Sequence, residues 1–284
     1  MIDAHHEEAQ KTGARIVHCC GYDSIPSDLG TLMAQDAFKE RHGNYASEVK
    51  MAAVDMRGGM SGGTVASMLN IMDEVKANPS LRKLLGNPYA LNPKGVRGPD
   101  KGDQNGARYD KDLGMWTAPF IMAAINTRVV RRSHALMGLP YGESFRYSEV
   151  MSTGRRLGGF TRAVSFAGGI AAFIGSIAFP LTRPFVVKRL PSPGEGPSLE
   201  ARERGFFKTL HVAVDNGDVV RGQVSDTRDP GYGSTAVMLS EAALCLALEG
   251  PELDTAGGIL TPASAMGDRL IGRLRNAGLT LSVD

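Results

Sequence analysis

The run Arg15-Ile-Val-His-Cys-Cys-Gly-Tyr-Asp-Ser-Ile-Pro-Ser-Asp-Leu-Gly30 constrains this chain more than any other segment. Ile16 and Val17 with His18, Cys19 and Cys20 form a short, mostly apolar stretch that reads as a buried strand. Gly21 ends it, and Asp23, Ser24, Ser27 and Asp28 crowd the mouth of a following helix. A strand, a sharp turn and a helix start in immediate succession are the unit from which α/β sheets are assembled. In open α/β sheets, ligands bind at the carboxyl ends of strands, where such turns sit. The turn at Gly21 is therefore the first place to look for a site.

The rest of the chain continues the same alternation. Residues 2–12 read as a helix stopped by Gly13, and residues 14–20 as the strand just described. Ser27 is expected to cap a helix reaching about Arg41, with Leu29, Leu32, Met33 and Phe38 on its apolar side. Glu48 to Met56 reads as a strand, Gly58-Gly59 as a turn, and Thr64 to Val75 as a helix. Residues 87–114 are rich in Gly, Pro, Asn, Asp and Lys and read as a long, mobile polar loop. Residues 118–135 read as a helix, Glu143 to Met151 as a strand, and residues 191–198 as a linker. Phe206 to Val214 and Val219 to Thr227 read as a hairpin around Asn216-Gly217, a pair suited to positive φ. Ser234 to Glu249 and Met266 to Ala277 read as helices, with a terminal strand from Leu279. The expected class is α/β (α+β): a partial Rossmann-like remnant, a mixed-sheet domain and a hydrophobic helical insertion. Its parts are drawn at 1–47, 48–231 and 232–284.

Composition narrows the function. At 284 residues and 42% hydrophobic the chain can bury a sizeable core, and a net charge of +2 gives no broad attraction to nucleic acid. Three cysteines, two of them adjacent, form no disulfide framework, and the polar start carrying His5, His6, Glu7 and Glu8 is unlike a signal peptide. A cytoplasmic setting follows. No metal is expected, because Cys19 and Cys20 on a strand point to opposite faces.

Four segments in order resemble the saccharopine dehydrogenase-like oxidoreductases, whose bacterial members include trans-acting enoyl reductases. They are His18 to Gly30, Ser61-Gly-Gly-Thr-Val-Ala-Ser67, Asp229-Pro-Gly-Tyr-Gly-Ser-Thr-Ala236 and Gly257-Gly-Ile-Leu-Thr-Pro-Ala263. The resemblance implies NAD(P)H as cofactor and hydride transfer to an enoyl double bond of a lipid or polyketide chain. It implies that Gly21, Tyr22, Asp23, Ser24 and Pro26 lie near the nicotinamide end of a cofactor cleft. Read from the residues alone, Ser27 serves equally as an N-cap, Asp23 as a turn residue and Pro26 as a helix-start proline. The family opens with a Rossmann unit, yet this chain has no Gly-x-Gly-x-x-Gly and starts in what reads as that unit's last helix. Two readings stand: a truncated, inactive chain, or one that works without the usual cofactor grip; weak NAD(P)H binding by this chain alone is the expectation. The rival reading is a non-catalytic, membrane-associated remnant that binds lipid or a partner protein.

Two further constellations carry chemistry. Gly59-Met60-Ser61-Gly62-Gly63 fits the Gly-x-Ser-x-Gly nucleophile elbow of hydrolases, with a strand before and a helix after. Only His134 and His211 follow Ser61, neither with an evident acid partner. The alternative is an anion-binding helix N-terminus at Ser61, Gly62, Gly63 and Thr64, with Arg57 pairing a substrate carboxylate or phosphate. Asp23 and Tyr232 are candidate catalytic groups, Tyr232 reading equally as a turn aromatic. From Ala163 to Thr182 the chain carries no charge, with Arg155, Arg156 and Arg162 before and Arg183, Lys188 and Arg189 after. That stretch is expected to touch a lipid bilayer. An oligomer is compatible with all of this.

Overall fold

The computed structural model describes residues 1–59 and 61–284. In chain order the elements are α1 (Ile2–Thr12), β1 (Arg15–Val17), α2 (Ile25–His42), β2 (Glu48–Arg57), α3 (Gly62–Ala77), α4 (Leu81–Leu85), β3 (Arg108–Asp110), β4 (Met115–Pro119), α5 (Ala123–Leu136), β5 (Arg146–Gly154), α6 (Leu157–Ala178), α7 (Arg183–Val187), α8 (Leu199–Glu203), β6 (Phe206–Asp215), β7 (Asp218–Asp226), α9 (Thr235–Leu248), β8 (Gly258–Leu260), α10 (Pro262–Asn276) and β9 (Thr280–Val283). The strands form a seven-stranded sheet in the order β3-β4-β5-β2-β6-β7-β9 and a separate pair, β1-β8. β1 and β8 run parallel, as do β2 and β5; the other pairs are antiparallel. The chain is thus α/β with a mixed sheet.

Helix α2 organises the interior. Ile25, Leu29 and Met33 pack with Phe207 of β6, Met238 of α9 and Leu270 and Leu274 of α10. Further along the same helix, Ala34 and Phe38 join a second cluster with Val49, Val130, Tyr141, Phe145 and Tyr147. One helix therefore couples the sheet to the β1-β8 pair, and its start is buried rather than solvated.

Several boundaries differ from the sequence reading for physical reasons. β1 stops at Val17 because Cys19 turns into the left-handed region, at φ 60°, and breaks the extended run. α2 begins two residues before Ser27; Ser24 is its N-cap, and Ser27 lies buried inside the first turn. Residues 118 and 119, expected to open a helix, instead end strand β4, because Ala118 and Pro119 pair with Met151 and Val150 of β5. The 87–106 loop is not free. Arg128 pairs with Asp103, Arg131 with Asp100 at 2.8 Å, and Arg132 donates to the Leu91 carbonyl. All three arginines come from one buried face of α5. The predicted hairpin is present, with Asn216 at φ 48° and Gly217 at φ 98° in its turn.

The uncharged run lies on α6, which starts earlier than residue 163. Only Gly159, Ala163 and Ile177 of this helix are buried, while Phe160, Val164, Phe166 and Ile174 are exposed. By length and composition alone, α6 and the run Pro230–Leu248 could each cross a membrane.

Candidate functional site

The turn after β1 is built so that only glycine fits at its apex. A Cβ on Gly21 would lie 2.8 Å from Asp23 Oδ1 and 2.9 Å from Thr235 Cγ2. Both neighbours hold the turn: the Gly21 N–H donates to Asp23 Oδ1 at 2.9 Å, and the Tyr22 N–H donates to Thr235 Oγ1 at 3.0 Å. The Tyr22 ring meets Phe207 edge-on at 4.8 Å. Burial first, and then the Asp23 charge, push the Cys19 thiol up to about 12, so it is no thiolate nucleophile at neutral pH.

Behind the turn runs a buried polar relay. Ser24 Oγ donates to Asn126 Oδ1 at 3.2 Å, and Asn126 Nδ2 donates to Glu149 Oε2 at 3.0 Å. The Tyr147 hydroxyl donates to Glu149 Oε1 at 2.8 Å. Burial pushes the Glu149 carboxyl up to about 7 against these hydrogen bonds. Asp28, one turn into α2, accepts from Ser133 and from the Ala263 N–H at 2.8 Å, tying α2 to the start of α10. Burial likewise raises its carboxyl to about 7. Pro26 is buried in the first turn of α2.

In front of the turn lies a cavity of about 530 Å³. Tyr22 and Asp23 form one wall, Gly58, Gly59, Ser61 and Thr64 another, Pro230, Gly231 and Thr235 a third. Phe120, Ile121, Met122, Met151 and Phe166 close it with apolar surface. Size and lining suit a small-molecule site with few polar groups. Among the described lining residues only Tyr22 and Asp23 carry titratable side chains.

The remaining sequence candidates separate. Ser61 caps α3: its Oγ accepts the Thr64 N–H at 3.1 Å, and its backbone is ordinary extended, at φ −79° and ψ 151°. Neither later histidine serves it. His134 contacts the Gly142 carbonyl at 3.0 Å, and His211 is fully buried beside Thr209 at 3.2 Å, with burial lowering it to about 3. Met60 of the same motif lies outside the described residues. At the start of α3, the Gly62 N–H donates to the Glu195 carbonyl at 2.9 Å, so two of the expected anion donors already have partners. Gly63 follows in the same turn, exposed. Arg57 is exposed at the end of β2, while its neighbours Met56 and Gly58 line the cavity. Tyr232 points elsewhere: its hydroxyl donates to the Glu195 carbonyl at 3.3 Å, under the Arg202 guanidinium at 4.8 Å. No group of three or more metal-ligating side chains gathers among the described residues.

Sequence reasoning missed the apolar walls at Phe120 to Met122, Met151 and Phe166. Apolar side chains from three separate elements leave no local signature. Pro230, Gly231 and Thr235 were findable, because Gly231-Tyr-Gly-Ser-Thr-Ala236 is a glycine-rich start to an apolar helix. The four separated segments noted in the sequence prove to be neighbours. Thr235 bonds the turn after β1, Ser61 faces it across the cavity, and the Gly257 to Ala263 segment supplies β8 and the Ala263 N–H.

Comparison with known proteins bears on that convergence. A protein of Mycobacterium tuberculosis (strain H37Rv) named as a trans-acting enoyl reductase is 41% identical over 296 residues, spanning 99% of this chain and 70% of the relative. The chain belongs to the trans-acting enoyl reductase family. A trans-acting enoyl reductase of Mycobacterium ulcerans is 37% identical and one of Mycobacterium bovis BCG 36% identical, each over 99% of this chain and 70% of its own length. No family model matches the chain. In this trans-acting enoyl reductase family member, the turn at Gly21, the cap at Ser61 and the segment at Asp229 to Ala236 surround one cavity.

Proposed function

We propose that this chain is an oxidoreductase that reduces the enoyl double bond of a lipid or polyketide chain, with a nicotinamide cofactor as hydride source. The observation that carries the reading is the apolar cavity opening beside the turn after β1, in a chain of this family. Tyr22 and Asp23 fit the nicotinamide end of such a cofactor: they lie past the carboxyl end of a parallel strand pair, with Gly21 where no side chain fits. Bound there, NAD(P)H supplies the hydride. The chain's own residues do the rest. Thr235 and Asp23 hold the turn, Phe120, Met151 and Phe166 put apolar surface around the alkene, and Tyr22 and Asp23 place the two titratable side chains at the cavity wall.

The exposed face of α6 with its basic flanks supports a second element of the reading: contact with an anionic membrane surface, where a lipid-linked substrate resides. The direct test is NADPH or NADH oxidation that depends on an added 2-enoyl thioester, with product identified by mass spectrometry. Reduced acyl thioester, diminished by Tyr22→Ala or Asp23→Asn, is the expected result. Folded protein that yields no reduced product with either cofactor at saturation would overturn it.

A further inference from the structure

A second and larger cavity, of about 860 Å³, adjoins the first. Its floor is the end of β5 with Met115 of β4, and its roof is α6. Met151 and Phe166 line both cavities, so the two volumes lie side by side along these two side chains. The lining is uncharged until the far end, where Arg155 and Arg162 stand.

Those two arginines lack an internal partner, as do Arg57, Arg82, Arg97, Arg108, Arg146 and Arg156 among the described residues, but they are the two arginines that line this cavity. Arg128, Arg131, Arg183, Arg228 and Arg273 are all paired with carboxylates. Arg155 and Arg162 make no ion pair or side-chain hydrogen bond with any described residue. None is near in sequence either: from Val150 to Gly194 there is no Asp or Glu. The trough therefore runs from a small polar corner at Tyr22 and Asp23, past apolar walls, to a cationic mouth with no counter-charge of its own. An occupant that satisfies both ends has a long, weakly polar body and an anionic group at its outer end.

We propose that this trough holds a phosphopantetheine thioester, its phosphate on Arg155 and Arg162 and its acyl end reaching the Tyr22–Asp23 corner. The assignment rests on the enoyl-reducing reading, which requires an activated acyl chain in the first cavity. Coenzyme A and an acylated carrier protein both present this arm, and the phosphate contact is common to them. Arg155 and Arg162 act as positioning residues, setting how deep the acyl end lies.

The test is equilibrium binding of saturated probes, which needs neither cofactor nor turnover. Dodecanoyl-phosphopantetheine, dodecanoyl-pantetheine, dodecanoyl-CoA and a dodecanoylated carrier protein are titrated into the full chain and into Arg155→Ala/Arg162→Ala. Both arginines are exposed and unpaired, so thermal unfolding of the variant is expected to match the parent. Loss of a charge-assisted phosphate contact should weaken dodecanoyl-phosphopantetheine at least tenfold. Dodecanoyl-pantetheine, which lacks the phosphate, should change less than twofold. Ser165→Trp, which fills the trough, should weaken all four probes. Equal effects on the phosphorylated and unphosphorylated arms would overturn the proposal, as would an effect confined to dodecanoyl-CoA, since the nucleotide would then be the partner. Whichever of dodecanoyl-CoA and the carrier protein binds more tightly names the donor. Arginine-dependent binding without enoyl reduction would leave the trough standing and remove the reductase reading. Reduction with arginine-independent binding would do the reverse.

Discussion

At Ser61 the side chain has one visible task, closing the first turn of α3 through the Thr64 N–H. Ser61→Ala should cost about 1 kcal/mol of stability, the usual value of an N-cap, without the near-total loss of turnover that removing a catalytic nucleophile brings. Stoichiometric labelling of Ser61 by a fluorophosphonate, mapped by mass spectrometry, would contradict this and restore the hydrolase reading. Glu149 makes a different kind of prediction. Its carboxyl rises from an ordinary 4.5 to about 7 in the folded chain, chiefly through burial. The native state then holds more protons than the unfolded state across that window. Glu149 therefore contributes stability below about pH 4.5 that is lost as pH climbs through about 7. Asp28 acts in the same sense, and neutral, buried His211 in the opposite sense as pH falls below 6.5. Urea melts from acid to neutral pH should show parent and Glu149→Gln drawing together in stability as pH rises, by more than ~1 kcal/mol. Parallel curves would show that Glu149 does not titrate there.

Among the elements, α5 and α6 are the instructive pair. α5 carries its arginines inward, and Arg131 alone contacts Asp100, the Pro88 carbonyl at 3.1 Å and the Tyr147 carbonyl at 2.9 Å. Arg131→Ala leaves a shielded carboxylate unpaired and should cost about 3–5 kcal/mol. Hydrogen exchange should accelerate selectively across residues 87–106; unchanged exchange there would mean that the loop is held by other contacts. α6 does the opposite, showing most of its apolar surface. Removing it whole would also strip Trp116 of Phe160, which packs against it at 4.8 Å. Substituting exposed side chains is the cleaner experiment. Val164→Ser, Ile174→Ser, Leu181→Ser and Phe185→Ser together should abolish co-flotation with anionic liposomes. A parent chain that never floats would end the membrane reading.

At the scale of the whole molecule, two helices start just past the β1-β8 pair, and both starts are occupied internally. α2 begins among buried residues, and α10 begins with the Thr261–Ser264 capping box and the Ala263 N–H on Asp28. The first N–H groups of α10 all have partners and the start of α2 is buried, so neither helix presents its N-terminus at the surface to a pyrophosphate. This chain alone is therefore expected to bind NAD(P)H weakly, through the nicotinamide end only. Calorimetric titration should give an affinity far weaker than micromolar, and low-micromolar binding would locate a phosphate grip elsewhere, with the turn at residues 58–63 the first place to look.

The sequence by itself determined the strand-turn-helix at Gly21, the hairpin at Asn216-Gly217 and the positions of most helices. These depend on short-range periodicity, caps and turn residues, which are local properties. It also marked the segments that surround the cavity, through their resemblance to a known family rather than through any local pattern. Only the tertiary structure decided what those segments do. Ser61 became a cap because its hydroxyl found the Thr64 N–H and no histidine. Tyr232 turned away from the cavity to the Glu195 carbonyl. The 87–106 loop was ordered by arginines from α5, a helix later in the chain. The trough between β5 and α6 exists only because two apolar surfaces leave a gap ending at Arg155 and Arg162. Such outcomes follow from long-range packing, in which a side chain's partner lies tens to hundreds of residues away and has no local pattern to announce it.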